Sequence, residues 1–243
     1  MEWTDEGIVL SARKHGETSA IVTLLTRAYG RHAGLVRGGA GKAARGILQP
    51  GNRVEAHWRA RLAEHLGTLT CEMTHAFAAA VLDDAARLAA LSSACAIAEA
   101  ALPEREPFPS VYDGLLALLG AIENDVWPVA YVRWELGLLT QLGFGLDLSE
   151  CAATGRNDQL AYVSPKSGRA VSLAAGEPYK GRLLALPAFL AGGGNGAGPG
   201  ALLDGLRLTG HFLERHLFAP MGVPMPAARR RLEERLRHGA GAP

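Results

Sequence analysis

Between Arg13 and Arg61 the sequence places ten Lys or Arg (Arg13, Lys14, Arg27, Arg31, Arg37, Lys42, Arg45, Arg53, Arg59, Arg61) against two acids, Glu17 and Glu55. Guanidinium and ammonium groups at this density are the electrostatic footprint of binding to a phosphate backbone, where each contact releases counterions. The net charge of the whole chain is only +1, so the cations are concentrated rather than abundant. A solvated basic face with no ligand would leave the same pattern, and charge alone does not separate the two.

Other chemistry is poorly supplied. Gly39-Ala40-Gly41-Lys42 looks superficially like a nucleotide loop, but a phosphate-cradling loop of that type needs Gly at 36 and Ser or Thr at 43, where Val36 and Ala43 stand. A dinucleotide fingerprint would end a strand and open a helix, and here both flanks read as strand. Ser11 and Lys14 have S-x-x-K spacing without its companion motifs. The eight histidines include no H-E-x-x-H pair, and the five-residue spacing of His211 and His216 does not place them on one helical face, so a surface or capping role is expected for each. No paired carboxylates or nucleophile constellation emerges, and the expectation is a protein that is not an enzyme and needs no cofactor. Cys71, Cys95 and Cys151 are too few and too far apart for a disulfide framework, which fits a reducing cytoplasm. No apolar run approaches a membrane span, and the acidic Met1–Glu6 segment is unlike a secretory signal.

The elements that must position these cations follow from periodicity. Short β-branched and aliphatic runs at Gly7–Arg13 and Ala20–Leu25, then His32–Arg37, are separated by turns at His15–Ser19 and Gly30. A glycine-rich loop is expected from Gly38 to Gly46. Strict alternation follows, with Val54, Ala56, Trp58 and Ala60 on one face and Arg53, Glu55, His57, Arg59 and Arg61 on the other. Leu69, Cys71 and Met73 make a fifth strand. Five strands at this spacing suggest a small barrel of the OB type, although another five-stranded topology would read alike. From Phe77 the period becomes helical. One stripe runs from Leu88 to Leu102, a second from Val111 to Ile122, and a third helix opens at Pro128 and stops at Gly143, a C′ glycine. Residues 146–180 read as irregular, Leu183–Leu190 as helical, Gly192–Gly200 as a mobile glycine loop, and Leu202–Phe218 and Ala227–Arg237 as helices. The expected class is α+β, with a β-barrel over 1–76 and a helical domain over 77–243.

Several of these segments, in this order, resemble the RecO family. They are Gly16-Glu17-Thr18-Ser19, Gly30-Arg31, Val36-Arg37-Gly38-Gly39-Ala40-Gly41-Lys42 and Leu48-Gln49-Pro50 in the first part, and Arg133-Trp134-Glu135-Leu136 followed by Leu142-Gly143-Phe144 in the second. The resemblance covers nearly the whole chain, though no single motif is specific. Many family members carry two C-x-x-C pairs in the loop that is 146–180 here, enough for a tetrahedral zinc. This chain has Cys151-Ala152-Ala153-Thr154 and no cysteine between Ser164 and Ser172, so the loop is a degenerate, cysteine-poor version, expected to hold no metal and to be fixed by packing and turns.

The resemblance implies binding of single- and double-stranded DNA, annealing of complementary strands, and action with RecR to load RecA on strands coated by single-stranded-DNA-binding protein, in the cytoplasm at the nucleoid. Arg13, Lys14, Arg31, Arg37, Lys42, Arg45, Arg53 and Arg59 are expected to form most of the DNA surface. Arg133 is the candidate for the acidic C-terminal tail of the coating protein, with a helix-surface ion pair as the alternative. Aromatics are only 6% of the chain, and Trp58 shares the apolar face of its strand, so binding is expected to be mainly electrostatic and sequence-tolerant. Arg229, Arg230 and Arg231 read as a solvated helix face. Two other classes stay open: an RNA-binding OB module, and an interaction scaffold whose barrel is incidental.

Overall fold

A computed structural model of the chain describes residues 1–192 and 198–240. By compactness it divides into one unit of Met1–Glu123 with Pro226–Arg229 and another of Asn124–Met225 with Arg230–Pro243. The change from strand to helix comes at Phe77, while the first helices group with the strands. Among the described residues no helix is long and apolar enough to cross a membrane.

The first unit is built on β1 (Glu2–His15), β2 (Ser19–Thr26), β3 (Gly30–Val36), β4 (Arg53–Arg59) and β5 (Thr68–His75). They hydrogen-bond in the order β1-β2-β3-β5-β4, and β4 returns to β1, closing the sheet as a barrel. One strand serves both β2 and β4 because β1 is long and its register shifts between Val9 and Ser11; an irregularity of that kind bends a strand and tightens its twist. The closing seam between β3 and β5 is the single parallel pair Leu35–Thr68. Alternation decides the interior: Val54, Ala56 and Trp58 of β4 point inward beside Val9, Val22, Leu24 and Leu69, all buried. Trp58 is thus a core residue, with its indole N–H donating to the Leu66 carbonyl at 2.9 Å.

The glycine-rich stretch after β3 is not all loop. It contains a short helix, α1 (Lys42–Ile47), which Ala43 and Ala44 favour and whose last carbonyls are met from outside the helix. The buried side chain of Asn52 supplies that closure. Its Nδ2 donates to the carbonyls of Gly46 (2.9 Å) and Ile47 (3.2 Å), while its Oδ1 accepts from the N–H of Ala78 (3.2 Å) in α2 (Phe77–Ala80). Helices α3 (Ala85–Ala101) and α4 (Pro109–Ile122) complete the unit. Asp84 caps α3, its Oδ1 accepting from the N–H groups of Ala86 and Arg87. The apolar stripe of α4 (Val111, Leu115, Leu118, Leu119, Ile122) is wholly buried.

The second unit opens with α5 (Trp127–Gln141), which has Pro128 in its first turn. Its end is a Schellman closure around Gly143 (φ +87°): the N–H of Gly143 donates to Thr140 and that of Phe144 to Leu139. Residues 146–180, expected to be irregular, instead contribute β6 (Leu160–Val163) and β7 (Ala170–Ser172), with a short helix α6 (Leu173–Gly176). The segment expected to be helical at Leu183–Leu190 holds β8 (Leu184–Ala185), which completes a sheet of order β7-β6-β8. Pro187 is the reason, since it disfavours helix at the residue before it and cannot donate within one. Part of the glycine loop at Gly192–Gly200 lies outside the described residues. Helix α7 (Pro199–Leu213) runs into a π turn, Glu214–Phe218, and α8 (Ala227–Ala240) follows. Arg230 and Arg231 of α8 are exposed, but Arg229 is buried, because it shares an inward face with Leu232 three residues on.

Candidate nucleic-acid interface

Strand register brings five of the eight candidate cations to one end of the barrel. Arg13 and Lys14 sit at the tip of the β1–β2 hairpin, Lys14 opposite Ala20, and Ala20 is in turn opposite Val36 at the end of β3. Arg37 follows directly. The turn into α1 is tied to the same tip, the N–H of Ala40 donating to the Thr18 carbonyl at 2.9 Å, so Lys42 and Arg45 face solvent beside it. This close approach needs Gly39: a Cβ there would lie 2.9 Å from that of Ala20 and 3.0 Å from the Val36 carbonyl oxygen. Arg45 is oriented by donating from Nε to the Ala40 carbonyl at 2.9 Å. None of these five exposed side chains is ion-paired among the described residues. Arg37 also borders an open cleft of about 470 Å³ between β3 and β5, lined by Leu35, Val36 and Thr68 to Cys71, where the two strands part beyond their one pairing.

The other three are placed elsewhere and are already engaged. Arg31, at the far end of β3, is only 20% exposed; its Nε donates to the Leu102 carbonyl at 2.7 Å and its Nη1 lies 3.4 Å from Glu104. Arg53 is paired with Glu6, and this hydrogen bond raises its pKa. Arg59 lies 3.9 Å from Glu2. Arg53 and Arg59 share the outer face of β1, β4 and β5 with Glu2, Glu6, Glu55 and Glu72, of which Glu6, Glu55 and Glu72 stand directly opposite one another. Four acids against two arginines make that face repel phosphate, and the two arginines serve to offset it. Arg133, on α5, donates from Nη2 to the Phe189 carbonyl at 2.9 Å, which fixes its guanidinium.

Two features escaped sequence reasoning. His32 is buried, its ring edge-on to Trp3 and Trp58 (centroids 5.0 and 4.8 Å) and without a hydrogen-bond partner among the described residues. Burial is the main cause of a pKa lowered to about 4, so the ring is neutral at neutral pH. Its place in strict alternation along β3 was the available signal. The other is the setting of His216, which lies in a π turn closed by the Ala219 N–H on the Glu214 carbonyl at 2.8 Å and whose ring stacks on those of Phe212 and Phe144.

The loop expected to be a degenerate zinc site does not fit a metal. Cys151 is buried and its sulfur already accepts a hydrogen bond from the Ser172 N–H at 3.2 Å, with the Ser172 hydroxyl at 3.5 Å. Burial pushes this thiol up, but bonds from the Ser172 hydroxyl, Thr154 and the N–H groups of Ser172 and Ala153 outweigh it, holding the pKa at about 6. Among the described residues no group of three His, Cys, Asp or Glu could hold an ion.

Comparison with known proteins covers both halves of the chain. The family model described as recombination protein O, N terminal, matches residues 1–77, and that described as recombination protein O, C terminal, matches 82–223. A protein of Rhodospirillum centenum named DNA repair protein RecO is 62% identical, over 98% of this chain and 95% of its own length. Proteins of the same name from Rhodospirillum rubrum and Phenylobacterium zucineum are 55% and 54% identical, over 100% and 97% of this chain and 99% and 98% of their own lengths.

Proposed function

The chain belongs to the RecO family, and from that premise we propose that it is a DNA-binding recombination mediator that acts by binding rather than catalysis. Its role lies in DNA repair and recombination. The observation that carries this reading is the set of five exposed, unpaired cations, Arg13, Lys14, Arg37, Lys42 and Arg45, gathered at one end of the barrel. A polyanion is drawn to that end and away from the acidic outer face of β1, β4 and β5, so the DNA path follows the hairpin tip and α1. Strand order supports taking residues 1–76 as an OB-fold DNA-binding domain and 77–243 as a helical domain with a degenerate zinc-ribbon loop. Arg31, Arg53 and Arg59 then act in the fold.

In this reading the protein holds single- and double-stranded DNA, brings complementary strands together and, with RecR, loads RecA at the nucleoid. Arg133 is the contact for the acidic tail of the single-stranded-DNA-binding protein, its guanidinium pre-set by the Phe189 carbonyl. The test is annealing of complementary oligonucleotides coated with that protein. Acceleration that vanishes when the coating protein lacks its acidic tail is the expected result. No acceleration by correctly folded protein would overturn the mediator reading.

A further inference from the structure

Phe144 is an exposed aromatic ring stacked on one of its faces. The Schellman closure of α5 fixes its backbone, and its ring lies parallel to that of His216, with centroids 5.0 Å apart and planes at 11°. His216 stacks in turn on Phe212, at 5.9 Å and 8°. His216 stands four residues after Phe212, the spacing that puts two side chains on one helical face, and it lies within the π turn, a feature that occurs often at functional sites. The three rings climb from the core to the surface: Phe212 is 2% exposed, Phe144 37%. Among the described residues no further ring covers the outer face of Phe144.

Two cations lie on the segments beside the stack. The guanidinium of Arg215 and the Nε2 of His211 (3.3 Å) both meet the Pro165 carbonyl, which ties the β6–β7 turn, with Lys166 exposed at its tip, to the end of α7. Asp147 (3.4 Å) and Glu150 (3.3 Å) share the single cation Arg169, and Glu214 is the acid of the π turn. The barrel has a comparable stack, Tyr29 on Trp3 on Trp58, but its nearby arginines are engaged. Asp113 holds Arg27, Glu104 lies beside Arg31, Asp5 adds a third acid, and Arg105 is turned to the carbonyls of Glu64 and His65. On the helical side Arg215 and Lys166 have no carboxylate partner among the described residues, so an exposed π-face stands beside two cations open to phosphate, the combination a single-stranded nucleic acid needs for base and phosphate at once.

We propose that Phe144, backed by His216 and Phe212 and flanked by Arg215 and Lys166, is a second contact for single-stranded nucleic acid, taking one unpaired base on its outer face. The inference rests on the nucleic-acid reading above. A duplex keeps its bases stacked inside and gains nothing from the ring, so the contact favours single strands.

Anisotropy titrations of the full chain with a thymidine oligonucleotide, with its abasic counterpart and with a duplex test this. Phe144→Ala is expected to weaken binding of the thymidine strand by about tenfold, with Phe144→Tyr restoring it and neither the abasic strand nor the duplex responding. Arg215→Glu should weaken both single strands, and Glu214→Gln should strengthen them. Photo-cross-links from a 5-iodouracil strand should map to Phe144 or His216. Unchanged affinity in Phe144→Ala, equal loss on single strand and duplex, or cross-links confined to residues 1–76 would each overturn the proposal while leaving the barrel interface intact. Absence of salt-sensitive affinity in the wild type would instead overturn the nucleic-acid reading, and this contact with it.

Discussion

Reversing two charges at the barrel end, Lys42→Glu with Arg45→Glu, separates a binding surface from a merely solvated one. Each single-strand phosphate neutralised contributes about 0.7 to the slope of log affinity against log salt. If all five cations at that end each meet a phosphate, they contribute a slope of about −3.5, and raising salt from about 50 to about 200 mM weakens binding by about a hundredfold. Removing two contacts lowers the slope by about 1.4, so the same salt change costs the variant only about twentyfold. Both side chains are exposed on a short helix that buries no residue fully, so the fold should tolerate the change, which a melting curve checks. Arg59→Gln is the internal control, since its partner is Glu2 on the acidic face, and it should leave the slope unaltered. The assay is fluorescence anisotropy with labelled single-stranded DNA across a salt series. A double variant with the parental slope would refute the placement of the DNA path.

Protonation of His32 should make the fold acid-sensitive. Its folded pKa of about 4 lies below the ordinary 6.5, so the stability it supports is complete above pH 6.5 and is lost as pH falls through 4, by about 3 kcal/mol in all. Urea unfolding at pH 7 and pH 4 should show His32→Phe losing less than the parent, and equal losses would sink the assignment. Asn52→Ala should cost about 3 kcal/mol, because it strands the Ala78 N–H and the two final carbonyls of α1; a cost below about 1 kcal/mol would mean that α1 is closed some other way. For Cys151 the depressed thiol pKa, about 6 against 9, gives stability present above pH 9 and lost as pH falls through 6. The gap between parent and Cys151→Ala should therefore widen from pH 6 to pH 9, and a pH-independent gap would argue against the hydrogen-bonded sulfur. Elemental analysis should find no stoichiometric zinc, and one zinc per chain would contradict the account of this loop.

Much of the architecture is legible in the residues one after another, because periodicity is a local property. The alternation of Val54, Ala56 and Trp58, the buried stripe of α4 and the stop at Gly143 each depend only on neighbours along the chain. The concentration of cations in the first quarter is equally plain, and so is the shortage of thiols in the loop around Cys151. What could not be read is whatever depends on a partner distant in sequence. The helix within the glycine-rich stretch is closed by Asn52 from the following strand, and β8 exists because β6 offers it an edge. Which cations stand free was decided by register: pairing across strands gathered Arg13, Lys14 and Arg37 with α1 while setting Arg53 and Arg59 among glutamates. The Phe144–His216–Phe212 stack joins two rings four residues apart on one helix face to a third from the end of another helix, and nothing in local spacing announces that last contact. Composition and period are summed along the chain, whereas burial, ion pairing and stacking are settled only by what the fold places next to each group.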